Sequence, residues 1–242
     1  RPTVADLRAN RGKHQYAMLR VETLDEAEAA AQAGVELLSV PAALLLSQVG
    51  LRSVDILPLL LPHMTVIVPA DFNQTKQATM AIAEHNGPVY LRFGRPVVPI
   101  FVQPDAEFII GKADVLTEGT DVTIVATGHL VWEALQASEK LEAMGISAEV
   151  INIHTIKPLD DEAILKSVAK TGCIVTAEEH NILGGLGESV ARTLSLNTPT
   201  PQEFVATNDT FGESGTPTQL LTKYGLDTPF VVAAAEKVIA RK

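Results

Sequence analysis

The chain of 242 residues contains a single cysteine, Cys173, and few positive charges. One thiol cannot form an internal disulfide, so nothing in the sequence requires an oxidising compartment, and we expect a cytoplasmic location. Lysine and arginine number 19 against 29 aspartates and glutamates, which gives a net charge of -10 without a long basic run. No tract of about twenty apolar residues is present, which argues against a membrane-spanning helix. We therefore expect neither nucleic acid nor a membrane as a partner.

Aromatic residues make up only 5% of the chain, so alanine, valine, isoleucine and leucine carry most of its 46% hydrophobic content. These residues come in short runs that alternate with helical patterns, which is typical of α/β proteins with parallel strands. We therefore predict an α/β fold of two parallel-sheet, three-layer domains.

A segment with three prolines, residues 96–105, separates two parts of different charge. Proline cannot donate a backbone hydrogen bond to a sheet or within a helix, so this segment is a natural linker. Residues 1–110 carry 9 of the 19 basic and 11 of the 29 acidic side chains, which leaves 10 and 18 for residues 111–242. We predict domains with these bounds and a boundary near residues 104–118.

Hydrophobic patterns predict four strands in the first domain, joined by helices and lying in one parallel sheet. These strands span residues 16–21, 35–40, 64–68 and 89–93. The second domain is predicted to be doubly wound. Its strands span residues 121–126, 148–153, 173–177 and 204–207, and its helices span residues 130–144, 160–170, 188–196, 218–224 and 230–240.

Five motifs resemble transketolases. Residues 64–71 (MTVIVPAD) and 87–95 (GPVYLRFGR) resemble the end of the pyrimidine-binding domain of that family. Three further motifs resemble the transketolase C-terminal domain, especially its small-subunit form. They are residues 122–128 (VTIVATG), 153–160 (IHTIKPLD) and 178–187 (EEHNILGGLG). The order and spacing of several motifs are stronger evidence than any single motif. The resemblance covers about residues 53–242 and implies that the second domain has the transketolase C-terminal fold.

The first fifty residues resemble a different family. Residues 2–8 (PTVADLR) and 31–40 (AQAGVELLSV) are similar to the first βαβ unit of ketopantoate hydroxymethyltransferase, a TIM-barrel enzyme. The aspartate that binds magnesium in that family is absent from the equivalent stretch, residues 39–42 (SVPA). We expect a chimera joined near residues 47–53, and the first residue, Arg1, leads us to expect a trimmed or engineered start.

The resemblance also shows which parts of a transketolase the sequence lacks. The family's catalytic glutamate, its Gly-Glu-Asp-Gly-Pro-Thr-His type loop and its diphosphate-binding domain have no counterpart in this sequence. We therefore expect a catalytically silent chimeric or truncated scaffold, with no cofactor held within the chain. The alternative is the small subunit of a thiamine-diphosphate-dependent transketolase, which moves two-carbon ketol units between sugar phosphates. In that case a large subunit completes a site for thiamine diphosphate and magnesium. A third possible function is an aldol-type one-carbon transfer inherited from the ketopantoate hydroxymethyltransferase family, and it is the one that we favour least.

Two arginines are the candidate substrate-binding residues. Arg92 and Arg95 lie at the carboxyl end of a predicted parallel strand, where α/β proteins bind ligands. By resemblance Arg95 falls on the arginine that holds the substrate phosphate in transketolases. The alternative is that both are surface arginines paired with nearby carboxylates.

A glycine-rich turn, residues 184–187, precedes a predicted helix. Its backbone amides could hold an anion at the helix N-terminus, or its glycines could permit close packing between domains or subunits, which we favour. With the apolar helix at residues 230–239, this turn leads us to expect a homodimer.

Glu178, Glu179, His180 and His154 stand at predicted strand ends, where they could bind a metal or form hydrogen bonds. Adjacent side chains on a strand point to opposite faces, so hydrogen bonding is the favoured role and we expect no metal ligands. Cys173 is expected to be a buried, inert thiol. Residues 212–215 (GESG) do not match the nucleophile elbow G-x-S-x-G, and no catalytic residues are expected.

Overall fold

The computed structural model of the chain describes residues 18–20, 37–39, 62–94 and 97–242. Strands β1 (Met18–Arg20) and β2 (Leu37–Ser39) lie within the first two predicted strands and pair in parallel. They form a two-stranded sheet of their own, so the prediction of one sheet with the next two strands is wrong for these residues. The remainder of the segment predicted to be barrel-like lies outside the described residues.

A second small sheet follows, with strands β3 (Thr65–Ile67) and β4 (Val89–Leu91) joined by helix α1 (Phe72–Ile82). Asp71 begins α1 as its N-cap, since its Oδ1 accepts a hydrogen bond from Gln74 N at 2.9 Å. Strands β3 and β4 are parallel, as predicted. The other edge of β3 pairs antiparallel with β8 (Thr155–Lys157), which the sequence patterns did not predict and which leaves no edge of β3 for β1 or β2.

The larger sheet has five strands in the order β10-β9-β6-β7-β5. Four of them are parallel, and β5 runs antiparallel to β7. The strands are β5 (Asp114–Thr117), β6 (Val122–Ala126), β7 (Ala148–Asn152), β9 (Ile174–Asn181) and β10 (Gln202–Thr207). The predictions found all of these except β5, whose four residues form an edge.

Five helices belong to this part of the described chain. They are α2 (Leu130–Ala143), α3 (Asp161–Thr171), α4 (Leu186–Asn197), α5 (Pro217–Lys223) and α6 (Thr228–Ile239). All of them except the short α5 pack on the sheet. Local signals explain several of their ends: Asp160 caps α3 through Ala163 N, and Gly172 ends it with a left-handed φ of 71°. Thr216 and Gln219 form a capping box at the start of α5.

Two hydrophobic clusters lie on opposite faces of the larger sheet. The first includes Ile124 of β6 and buried residues of α2 and α6. The second includes the neighbouring Val125, residues of α3 and α4, and Val66 of β3. Alternate residues of β6 thus pack against helices on opposite faces of the sheet. The helices on each side and the sheet between them form three layers, which confirms the predicted α/β class. The division at residue 110 stays a prediction.

The segment before the larger sheet is held against α1. Asp71 Oδ2 accepts hydrogen bonds from the backbone amides of Phe101 and Val102, at 2.9 and 2.8 Å. Asn73 Nδ2 donates to Val102 O at 2.8 Å. The prolines around these residues fit such a path, because the donors come from non-proline amides. In the described part of the chain, no helix combines the length and apolar character needed to cross a membrane.

Candidate functional site

The carboxyl ends of three parallel strands meet where the three-stranded sheet of β3, β4 and β8 adjoins the five-stranded sheet. Arg92 follows β4, His129 follows β6, and Glu179 lies near the end of β9. Ligands of open α/β sheets bind at such ends, so this is the candidate site. Sequence analysis named Arg92 and Glu179 separately and did not name His129.

Arg92 makes a bridge between the two halves of the chain. Its Nη2 donates to the backbone oxygen of Glu179 at 2.9 Å and lies 3.3 Å from Glu179 Oε2. An arginine that holds both a carbonyl and a carboxylate is fixed in orientation. The alternative of pairing with a carboxylate is thus present for Arg92, the substrate-phosphate role stays a prediction, and Arg95 lies outside the described residues.

His129 approaches the same carboxylate. Its Nε2 lies 3.2 Å from Glu179 Oε2, and the side chain is only 10% exposed. Burial lowers the pKa of the imidazole, and the charge of Glu179 partly opposes that shift. The neutral ring is therefore favoured at neutral pH. Glu179 thus joins an arginine and a histidine from different strands in one polar cluster.

Glu178 points to the other side of β9 and is buried. Its two carboxylate oxygens accept hydrogen bonds from Leu186 N and Gly187 N, both at 2.7 Å. Burial raises the pKa of this carboxyl, while the two amides and His180 act in the opposite direction. The amide donors at the N-terminus of α4 are therefore already occupied by a carboxyl group of the chain itself.

The glycine-rich turn packs tightly against these groups. A Cβ on Gly185 would lie 2.7 Å from Glu178 Cδ, and one on Gly187 would lie 2.7 Å from Phe204 Cε1. Both glycines are buried. The close approach needs residues without side chains, but these neighbours belong to the second domain, so packing of the turn between domains or subunits stays a prediction.

His180 and His154 occupy separate places. His180 Nδ1 lies 2.7 Å from Asn181 O and 3.9 Å from Glu178 Oε2. His154 is buried after β7, with Nδ1 3.0 Å from Thr155 Oγ1 and its ring centroid 4.1 Å from that of Phe108. Hydrogen bonding is the role that these contacts show for both rings.

A buried polar network near His154 joins α1 to the larger sheet. Gln74 Nε2 donates to Asp114 Oδ2 at 3.0 Å, and Asn152 Nδ2 donates to Gln74 Oε1 at 3.0 Å. His154 Nε2 lies 3.8 Å from Asp114 Oδ2. Burial raises the pKa of Asp114, against the effect of its hydrogen bonds from Gln74 and Asn152, and lowers that of His154 to about 4, so the His154 ring is neutral at neutral pH.

The other side chains considered as candidate nucleophiles or metal ligands form no reactive or metal-binding group in the described part of the chain. Cys173 is buried as predicted, and burial raises the pKa of its thiol. Ser214 lies in an exposed loop after β10. Among the described residues, no group of three or more histidine, cysteine, aspartate or glutamate side chains is arranged to hold a metal ion.

Sequence reasoning missed His129, Gln74, Asp114 and Asn152. A signal was available for His129, because Gly128 ends the motif of β6 and the next residue must lie at the carboxyl end of that strand. Asp114 and Gln74 had no such signal, because their contact joins an unpredicted edge strand to a helix 40 residues earlier.

Comparison with known proteins places this arrangement in context. Residues 111–231 match the family described as "Transketolase, C-terminal domain". The chain is 49% identical over 183 residues to the 6-deoxy-6-sulfo-D-fructose transketolase subunit SqwH of Clostridium sp. (strain MSTE9), covering 75% of this chain and 56% of that protein. It is 39% identical over 181 residues to an apulose-4-phosphate transketolase subunit of Phocaeicola vulgatus, covering 74% and 58% of the two chains.

A solved structure described as "Split gene transketolase, inactive beta4 tetramer" is also similar. It shares 48% sequence identity and a TM-score of 0.75, with 77% of this chain and 61% of that chain covered. The chain thus spans little more than half the length of the relatives that it matches.

Proposed function

This chain belongs to the transketolase C-terminal domain family, and we propose that it is the small subunit of a transketolase-like enzyme. In that role it transfers two-carbon ketol units between sugar phosphates together with a large subunit. The observation that carries the proposal is the similarity, over about three quarters of the chain, to proteins named as transketolase subunits. The name of the solved relative refers to a split gene, which supports a two-chain enzyme.

The cofactor of the proposed reaction does not fit the described residues. Thiamine diphosphate needs donors for its diphosphate and a divalent metal, yet no described cluster of acidic or imidazole side chains could hold the metal. The amides at the start of α4 are occupied by Glu178. We therefore assign cofactor binding to the large subunit and derive no catalytic step from this chain.

The proposed role includes silence of the isolated chain. A solved relative is described as inactive in its tetrameric form, and the same property is proposed here. General acid–base catalysis and positioning of the reactants together account for many orders of magnitude in rate, and both depend on the cofactor site that we assign to the large subunit. The chain alone should therefore show no ketol transfer.

Arg92 has a proposed part in the complete enzyme. It stands at the carboxyl end of β4, and Glu179 orients it. An oriented guanidinium suits a phosphate ester, so we propose that Arg92 and Arg95 contact the substrate phosphate once the large subunit closes the site.

The chimeric origin of residues 1–50 stays a prediction. The relative with 49% identity aligns over 183 residues, close to the 190 residues of the span 53–242. If the start replaces part of the pyrimidine-binding domain, the chain acts only as a silent scaffold. Activity with a large subunit distinguishes that alternative from the small-subunit role.

Mixing the chain with the large subunit of a split transketolase tests the proposal. Ketol transfer from xylulose 5-phosphate is measured with thiamine diphosphate and magnesium, for each protein alone and for the mixture. We expect turnover only in the mixture, and calorimetric binding of thiamine diphosphate only when the large subunit is present. A silent mixture in which both chains are folded would contradict the subunit role, and turnover by this chain alone would contradict its proposed silence.

A further inference from the structure

An open cleft of about 750 Å³ lies at the carboxyl end of the larger sheet. Its walls come from His129 after β6, Glu179 of β9, Thr207 of β10, the segment 97–99 and helix α5. From β6 the chain first adds β7 on one side and later β9 on the other. The cleft therefore lies at the point where the strand order reverses, which is where open α/β sheets bind small ligands.

The cleft is lined by negative charge. It contains four carboxylates and, among its described residues, no lysine or arginine; the four are Glu133, Glu179, Glu213 and Asp227. Glu179 and Glu213 have cationic partners in Arg92 and Lys223. Burial favours the neutral form of His129, so the imidazole adds little positive charge. The lining thus carries more negative charge than its neighbours neutralise.

Within the described part of the chain, two of these carboxylates have only neutral hydrogen-bond partners. Glu133 Oε2 accepts hydrogen bonds from the amide and hydroxyl of Thr228, and Asp227 Oδ2 accepts one from Thr222 Oγ1 at 2.6 Å. Asp227 Oδ1 is buried and has no hydrogen-bond partner among the described residues. A buried carboxylate oxygen without a donor costs free energy, so a cation near it would be stabilised.

Aromatic and apolar groups form the rest of the wall. Trp132 lines the cleft and stacks on Phe101, with ring centroids 6.2 Å apart. Leu220 of α5 and Tyr224 just after it line the same cleft. Aromatic faces attract cations through their quadrupole, and the apolar groups can bury a hydrocarbon body.

We propose that this cleft binds a small organic cation, an amine or quaternary ammonium on an aromatic or aliphatic body. The carboxylates face the charge, and Trp132 and Tyr224 face the body. A phosphate or carboxylate ligand would meet the charges of Glu133 and Asp227, which no described cation offsets, so it would be repelled. A neutral polyol could donate hydrogen bonds but would leave the two carboxylates without a counter-charge.

Trp132 is the only tryptophan in the chain, so its fluorescence reports on this cleft alone. The probes are benzylamine, the neutral benzyl alcohol and the anionic benzoate, each titrated to about 10 mM, well beyond the ~1 mM dissociation constant of a weak site. We expect saturable quenching by benzylamine and none by the other two compounds. Equal saturation with benzyl alcohol, preference for benzoate, or no saturation with benzylamine would each overturn the proposal.

Glu133→Gln and Asp227→Asn remove the charge while keeping the shape and an acceptor oxygen. Each should weaken benzylamine binding about three- to fivefold, as expected for one partly exposed charge pair. Glu142→Gln is the matched control, because it makes the same charge change at an exposed position of α2 outside the cleft. Unchanged circular dichroism melting shows that a variant is folded. Equal loss in the control, or no loss in either folded cleft variant, would contradict the assigned residues.

Discussion

His154 is a buried imidazole whose titration should set the acid limit of stability. Its pKa is about 4 in the fold, below the ordinary 6.5, because burial disfavours the charged ring. Below pH 6.5 the imidazole binds a proton in the unfolded chain but not in the folded chain, so the free energy of unfolding falls between about pH 6.5 and 4. The full decrease in the free energy of unfolding is about 3 kcal/mol.

Urea unfolding of the wild type and the His154→Asn variant between pH 7.5 and 4.5 measures how much His154 contributes to the pH dependence of the free energy of unfolding. The variant should lack most of the pH dependence. Asp114, whose pKa is raised by burial, acts in the opposite sense above pH 3.8, so the Asp114→Asn variant serves as a control. A wild type and His154→Asn variant with parallel pH profiles would refute the assignment.

Glu178 supplies the second prediction at the residue scale. Its carboxylate satisfies two backbone amides of α4, and Glu178→Ala would leave both buried and unpaired. We expect a loss of about 2–4 kcal/mol in the free energy of unfolding. Glu188→Ala is the control, since Glu188 is exposed and accepts one amide hydrogen bond, from Gly184. Similar losses in both variants would argue against the role of Glu178.

At the scale of elements, the packing of α4 on β10 depends on Gly187. An alanine there suits a helix, yet its Cβ would overlap the ring of Phe204. Overpacking should outweigh the gain in helix propensity and destabilise Gly187→Ala by about 1–3 kcal/mol. Gly212→Ala, with nothing within 4 Å of its Cβ, should be neutral in the same thermal unfolding experiment. A more stable Gly187→Ala variant would show that Phe204 moves aside freely.

Elements with a clear hydrophobic period were predictable from the sequence. The predicted strand at residues 121–126 and helix at 130–144 agree with β6 and α2 to within one residue. Strands β5 and β8 were not predicted, because three or four residues carry no period and their antiparallel partners lie far away in the chain. The Arg92–Glu179 contact joins positions 87 residues apart, so only the folded topology reveals it.

At the scale of the whole molecule, the two larger sheets behave as one packed body. Strand β8, which belongs to the second half of the chain, pairs with β3 of the first half. Val66 of β3 also belongs to the same hydrophobic cluster as Ile174 of β9. Gln74 adds a buried hydrogen-bonded link to Asp114 and Asn152. Strand pairing, apolar packing and buried hydrogen bonds thus together fix the three-stranded sheet to the five-stranded one.

Assembly is the last prediction, and exposed apolar side chains are its basis. Phe72, Phe93, Val97 and Ile100 line one depression at the carboxyl end of the smaller sheet, and Val97 is 99% exposed. The glycine turn and one face of helix α6, which led us to expect a homodimer, are instead buried within the chain. We expect a second copy to cover the depression, because contiguous apolar surface is rarely left in water.

Light scattering at tens of micromolar should therefore give the mass of a dimer or a larger assembly, since an interface of standard size stays closed at about that concentration. Val97→Glu combined with Ile100→Glu should lower the mass to that of one chain, because two charges would be buried without partners. Val115→Glu, at an exposed valine of the edge strand β5, is the control and should keep the assembly. A monomeric wild type, or assembly unaffected by the double variant, would contradict contact through this depression.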